Sequence, residues 1–354
     1  MGTVVSLRVL ASGIDTLYWS TACGIAGERF AAFRAARERA SDGGEVLELG
    51  GHTLVLEPHG AGKYPILLTC AEFSVQLTDS AHIPTALVQL RSEALHDEGG
   101  PRAAYESSAQ VVEALCQRVV TEPKASRLDV YADVAGWVLT DKDRRGLVTH
   151  AKLRPVLRAG TDEYETIQVG KQPGVLLRLY RKDIKERSTP GFADLFWDGF
   201  AGAVLRVEAE AGSKKLRDLG IVSVDDALSC YGELWKYATT EFCRLHVPGP
   251  GDREGWPLDE RWRDLRGLAF SAFPCCDMAP LVKAERAQQK IAAVLLGSLA
   301  SWSAGEGVFD PDAALARLRA RYPGLVATPD RQFAREVARK HVRLPRAIRK
   351  RHVA

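Results

Sequence analysis

Apolar and polar positions alternate with period two along several short stretches of the chain and recur with a helical period along others. Glu28 to Arg39 reads as a helix stopped by the Asp-Gly-Gly at 42–44. Strand-like runs follow at His52 to Leu56, Tyr64 to Thr69, Phe73 to Leu77 and Ala86 to Leu90. Val111, Val112, Leu115 and Val119 stand at helical spacing, which predicts a second helix over Glu106 to Val120. Arg127 to Val134 is predicted as a strand and Asp141 to Leu157 as a helix broken by Pro155. Strands are predicted again at Tyr164 to Val169, Val175 to Tyr180 and Ala203 to Glu210. Beyond Val224 the pattern turns helical, at 225–247, 280–303, 311–321 and 329–342, with Asp310-Pro311 and Thr328-Pro329 as caps.

The order of these segments points to an internal duplication. Ile14-Asp15 opens one unit, which runs through a helix and several strands to Leu90-Arg91-Ser92-Glu93. Leu128-Asp129 opens a second, which ends in Leu205-Arg206-Val207-Glu208 after nearly the same length of chain. The predicted fold is α+β: two similar antiparallel sheet units with helices on one face, then a helical C-terminal region. The units are placed at 1–122 and 123–250, and the helical region with its basic end at 251–354.

The alternating segments carry the candidate chemistry. Residues two apart on a strand share a face, so Asp129, Tyr131 and Asp133 lie opposite a wholly apolar set. Arg206, Glu208 and Glu210 share a face on their strand, as do Gln89, Arg91 and Glu93, and Arg178, Tyr180 and Lys182. Read one at a time, such faces can simply meet water, with exposed Arg–Glu pairs that contribute roughly 0–1 kcal/mol each. Gathered on one sheet, the acids would repel one another unless a divalent cation neutralised them, and Mg²⁺ or Mn²⁺ prefers such oxygen ligands.

Composition narrows the picture. Hydrophobic content of 46% and charged content of 26% are those of a soluble globular protein. The start lacks a signal-peptide pattern, and the apolar run near Ile291 to Trp302 is too short and too charged at its edges to span a bilayer. No membrane association is therefore expected. Seven cysteines without a C-x-x-C pair read as reduced thiols in a cytoplasm. The net charge of +3 hides an asymmetry: Arg331 to Ala354 holds nine Lys or Arg against one acid, on a body that sums to −5. Such a tail is either a solvated helix end or a polyanion contact. His59-Gly60-Ala61-Gly62-Lys63 fails as a phosphate loop, with Glu57 and Tyr64 where glycine and Ser or Thr belong. The G-x-S-x-G, H-E-x-x-H and G-x-G-x-x-G patterns are absent, and no His-apolar-His strand offers a histidine metal site.

Four stretches, in order, resemble the trans-acting replication initiation proteins of rolling-circle plasmids and the related initiation factors of filamentous phages and integrative elements. Val88 to Leu95 is similar to the family's R-x-E strand, and Ser126 to Asp133 to its R-[LIV]-D-x-x-x-D strand. Ile167 to Gly170 with Leu177 to Lys182 resembles the Gly-containing strand and the R-[LIF]-Y-x-K strand. Val204 to Glu210 resembles W-R-V-E-x-[EQ]. The likeness spans about residues 10–265, including Trp256-Pro257 to Trp262. It departs from the family at Arg181, at Val204, and at Lys185, where an acid is usual and Glu186 stands one residue further on.

The resemblance implies a metal-dependent endonuclease and strand transferase that nicks one strand at a replication origin and later re-joins it. Tyr180 is the implied nucleophile, with Arg178 and Lys182 supplying positive field, and Glu93, Asp129 and Glu208 are the implied ligands of Mg²⁺ or Mn²⁺. Asp133 and Glu210 share faces with the last two and could replace either. Arg343, Arg346, Arg349, Lys350 and Arg351 are expected to hold the phosphate backbone of origin DNA, single- and double-stranded. A host helicase is an implied partner, and a homodimer is left open. The alternative is a non-catalytic origin-binding factor of the same fold. A hydrolase that uses the acids with water as nucleophile is a third.

Overall fold

The computed structural model describes residues 7–39, 43–117, 119–120, 122–157, 163–188, 196–268, 270 and 295–322. The chain opens on a long strand, β1 (Val9–Thr21), and the helix α1 (Gly27–Arg39). Five strands follow: β2 (Glu45–Leu49), β3 (His52–Leu56), β4 (Ile66–Thr69), β5 (Phe73–Leu77) and β6 (Ala86–Leu90). Two helices, α2 (Ser92–Leu95) and α3 (Gly100–Cys116), lead into β7 (Lys124–Ala135). The second half repeats this plan with α4 (Asp141–Gly146), a short β8 (Leu147–Val148), β9 (Leu153–Leu157), β10 (Tyr164–Gly170), β11 (Val175–Arg181), α5 (Lys182–Ser188) and β12 (Val204–Gly212).

Eleven strands form one antiparallel sheet in the order β2-β3-β4-β5-β6-β1-β7-β12-β11-β10-β9. In each half the first strand is central, the chain crosses to an edge, and a meander returns inward. The two first strands, β1 and β7, pair antiparallel at the middle. The sheet is therefore continuous, and its centre is the junction of two like units.

Residue type follows the alternation, while β7 and β12 are buried on both faces. Leu128, Val130, Ala132 and Val134 of β7 and Val207, Ala209 and Ala211 of β12 are buried. They share one core with Val111, Val112 and Leu115 of α3 and with Leu234 and Trp235 of the helix Val224–Tyr237. The opposite face carries the charged residues and a small apolar cluster of Ala11, Tyr131, Phe196, Trp197 and Val204, bordered by α2, α5 and the segment at 196–200. Trp19 is wholly buried and donates from its indole N–H to the Ser108 hydroxyl at 3.1 Å, which fixes α3 against β1.

Several sequence expectations are corrected. Asp141 to Leu157 is not a helix. A capping box between Thr140 and Asp143 starts one, but it stops at Gly146, where a Cβ would come within 2.2 Å of the His246 carbonyl. The chain then pairs as β8 with Arg244–Leu245 and becomes the edge strand β9. There the missing N–H of Pro155 is tolerated. The helix over 225–247 ends at Tyr237 and gives way to a π-turn, Ala238–Phe242. The cysteines are not all thiols. Cys23, just past β1, is disulfide-bonded to Cys116 at the end of α3, because packing brings their Cα atoms to 6.0 Å across 93 residues of chain.

Asp310 caps the helix Pro311–Arg321 as its Asp-Pro pair predicts, and 295–306 is also helical. The predicted helical stretches at 280–294 and 329–342 lie outside the described residues, as do Arg343, Arg346, Arg349, Lys350 and Arg351. Among the described residues no helix is long and apolar enough to cross a membrane.

Candidate active site

The polar face carries a tight set of charges over β1, β7, β12 and β11. In register, Arg178 stands opposite Glu208 and Glu208 opposite Tyr131. Tyr180 stands opposite Arg206 and Arg206 opposite Asp133, while Glu210 faces Asp129. On β1 the pairing with β7 slips between Ile14 and Thr16. That bulge inserts one extra residue, Asp15, and turns it onto the polar face beside Asp129.

Asp15, Asp129 and Glu208 each offer a carboxylate oxygen, and these oxygens lie within 4.8 Å of one another. They are hard donors, largely sequestered from solvent, gathered from three strands. That donor set fits a divalent cation such as Mg²⁺ or Mn²⁺.

Each acid is held by its own partners. Both oxygens of Asp129 accept from Arg127, at 2.9 and 2.6 Å. Glu208 accepts from Arg178 at 2.7 Å. Asp15 accepts from Arg206 at 2.6 Å and from the Ser92 hydroxyl at 3.1 Å. Burial pushes the Asp129 carboxyl up to about 7; Arg127 opposes this, and the nearby Glu208 and Glu210 reinforce it. Asp15 goes the other way. Burial alone would raise its pKa, but Arg206, Lys182 and Ser92 together hold it below the ordinary value. Adjacent carboxyls displaced in opposite directions are a recurrent property of reactive sites.

The Tyr180 hydroxyl donates to the other Glu208 oxygen at 2.9 Å. Its ring is 9% exposed, with the Lys185 ammonium 5.4 Å from the ring centroid. Burial raises its pKa, as do the negative charges of Glu208 and Asp15, while Arg206 pulls in the opposite sense. The phenol is therefore protonated at neutral pH, with a carboxylate in place to accept its proton.

Tyr180, Arg178, Asp129 and Glu208 thus stand together. Lys182 does not share their strand: it opens α5, pairs with Glu186 at 2.9 Å, and is buried enough to lower its pKa, with Arg206 adding to the effect. Glu93 lies elsewhere. The strand that was to carry it ends at Leu90, α2 begins at Ser92, and Glu93 projects exposed from its first turn. Asp15 takes the place expected for it. The signal was present in the repeat that matches Ile14-Asp15 to Leu128-Asp129, but alternation could not reveal the bulge.

Asp133 and Glu210 are not in the close group. Asp133 binds Arg206 with both oxygens and accepts from the Trp197 indole at 2.8 Å. Glu210 is shared between Arg127 and Arg178. The departure at Arg181 has a local account: its guanidinium is tied to Asp183 and Glu163, away from Tyr180.

No family model matches the chain, and no curated protein matches it in sequence. Among solved structures, the fold is similar to that of the rolling circle replication initiator protein from Geobacillus stearothermophilus. The identity is 14% and the TM-score 0.44, over 73% of this chain and 97% of that one.

Proposed function

We propose that this chain initiates replication by nicking one DNA strand with Tyr180 as the nucleophile. The observation that carries the reading is the hydrogen bond from the Tyr180 hydroxyl to Glu208, a member of the Asp15–Asp129–Glu208 group. The ordered motifs shared with rolling-circle initiators support it.

Glu208 accepts the phenolic proton as the Tyr180 oxygen attacks the scissile phosphorus. The new bond joins tyrosine to the 5′-phosphate, the bond to the 3′ oxygen breaks, and that oxygen leaves as a hydroxyl after taking up a proton. A divalent cation held by Asp15, Asp129 and Glu208 would neutralise charge on the phosphate oxygens. Arg178 adds positive charge beside Glu208 and Tyr180, and Lys182 contributes at longer range through Asp15. The phosphotyrosine keeps the bond energy, so re-joining needs no nucleotide. Strand opening requires a helicase from another chain, and the basic residues Arg343, Arg346, Arg349, Lys350 and Arg351 are assigned to the DNA backbone.

The test is a covalent adduct. Circular single-stranded DNA carrying the element's origin, incubated with the protein and Mn²⁺, should give a labelled protein band on a denaturing gel. Tyr180→Phe should give none. A Tyr180→Phe protein that still nicks would end this mechanism, and nicking without an adduct would favour water as the nucleophile. Burial of Tyr180 to 9% exposure favours one alternative, a non-catalytic origin-binding factor. That reading predicts binding with neither nick nor adduct.

A further inference from the structure

Arg127 and Arg178 are placed unlike the third arginine of the face. The Arg206 side chain is 1% exposed, whereas those of Arg127 and Arg178 are 35% and 26% exposed. Each of the two bridges a member of the close acid group and Glu210. Arg127 spans Asp129 at 2.6 Å and Glu210 at 2.8 Å. Arg178 spans Glu208 and the same Glu210 oxygen. Among the described residues Arg178 Nε is buried without a hydrogen-bond partner, so its donor fork is only partly used.

The charges on this face explain why the bridges exist. Once Asp129 is deprotonated, Asp15, Asp129, Asp133, Glu208 and Glu210 carry five negative charges, against three from Arg127, Arg178 and Arg206. A dication would cancel the excess, and it would compete with the two outer guanidiniums for Asp129 and Glu208. Only Glu210 would then still hold them. Both arginines stand at the rim on long, flexible stems; Arg178 is two residues from Tyr180 on the same strand, and Arg127 lies 5.4 Å over the Tyr18 ring.

We infer that Arg127 and Arg178 are exchangeable counter-ions. Without metal they neutralise the carboxylates, held by Asp129, Glu208 and Glu210, and they turn to DNA phosphates once a divalent cation takes Asp129 and Glu208. The inference rests on the proposed reading of this face as a metal-dependent nicking site. Its consequence is that DNA grip at the site is gated by metal. The strand is held firmly only when the site is charged with the ion.

The experiment measures binding of a fluorescent oligo(dT) 20-mer, which carries no origin, as a function of salt in Mn²⁺ and in EDTA. Each phosphate contact on a single strand steepens the log–log salt slope by about 0.7. The wild-type slope should therefore be steeper in Mn²⁺ by about 1.4, one such increment from each arginine. Arg127→Gln and Arg178→Gln should each remove about half of that difference and leave the EDTA slope unchanged. Glu210→Gln should tighten binding in Mn²⁺, where Glu210 alone would still hold the arginines, and change it little in EDTA, where Asp129 and Glu208 hold them. Equal wild-type slopes in the two conditions, or arginine variants that flatten both alike, overturn the inference. Mn²⁺ binding is followed separately by electron paramagnetic resonance. If Mn²⁺ does not bind, the underlying reading of the site falls as well. If Mn²⁺ binds and the wild-type adduct forms while the slopes stay equal, only the exchange falls.

Discussion

Replacing Arg206 by Met should be among the most damaging single changes to this fold. The guanidinium donates to both Asp133 oxygens at 2.6 and 2.8 Å and to Asp15 at 2.6 Å, and lies 3.9 Å over the Tyr131 ring. Met fills much of the same volume, so little of the expected cost is a cavity. What remains is Asp133, wholly buried, still accepting from the Trp197 indole. Removing one partner of a buried ion pair costs about 3–5 kcal/mol, chiefly because the other charge is stranded. For a domain of this size that corresponds to a fall in Tm of roughly 6–20 °C. The assay is urea denaturation followed by circular dichroism in EDTA, at low and high salt. The loss should be insensitive to salt, since the pair is shielded from solvent ions. A second replacement, Asp133→Asn, should restore much of the loss by removing the stranded charge. The reasoning is refuted if Arg206→Met costs under about 1 kcal/mol, or if the double variant is as unstable as the single one.

Other outcomes are equally specific. Saturating Mn²⁺ should raise the wild-type Tm, with about 2.7 kcal/mol of stabilisation at a hundredfold excess over Kd, and Asp129→Asn should lose most of that rise. The raised Asp129 pKa gives a pH signature. Because the folded protein holds this proton more tightly than the unfolded chain, the metal-free protein should lose stability as pH rises from about 4 to about 7. The limiting slope is about 1.4 kcal/mol per pH unit, and thermal melts of Asp129→Asn should show that slope removed. By the same linkage, Mn²⁺ affinity measured by titration calorimetry should weaken below pH 7, where the ion must displace the proton. Gly170→Ala should destabilise the β10–β11 hairpin that sets the register of Tyr180. Gly170 has φ +83°, and an added Cβ would lie 2.4 Å from the Val175 carbonyl oxygen. Denaturation should report a loss of 1 kcal/mol or more.

Local pattern was enough for the strands that carry chemistry. Period-two alternation in Asp129 to Asp133 and in Arg206 to Glu210 placed those polar residues on one face, because a strand has only two faces and the core can claim only one. The repeat of Ile14-Asp15 and Leu128-Asp129 also anticipated two like units, which the pairing of β1 with β7 joins into one sheet. Tertiary structure decided the rest. A bulge in β1 turned Asp15 toward Asp129, and the end of β6 at Leu90 carried Glu93 out to solvent. Neither is visible in alternation, because both depend on which strand lies alongside. The same holds for 147–157, whose helical spacing lost to pairing with Arg244–Leu245 and with β10. Sequence specifies which residues can share a face; only the packed sheet specifies which of them meet, since that is fixed by register between segments far apart in the chain.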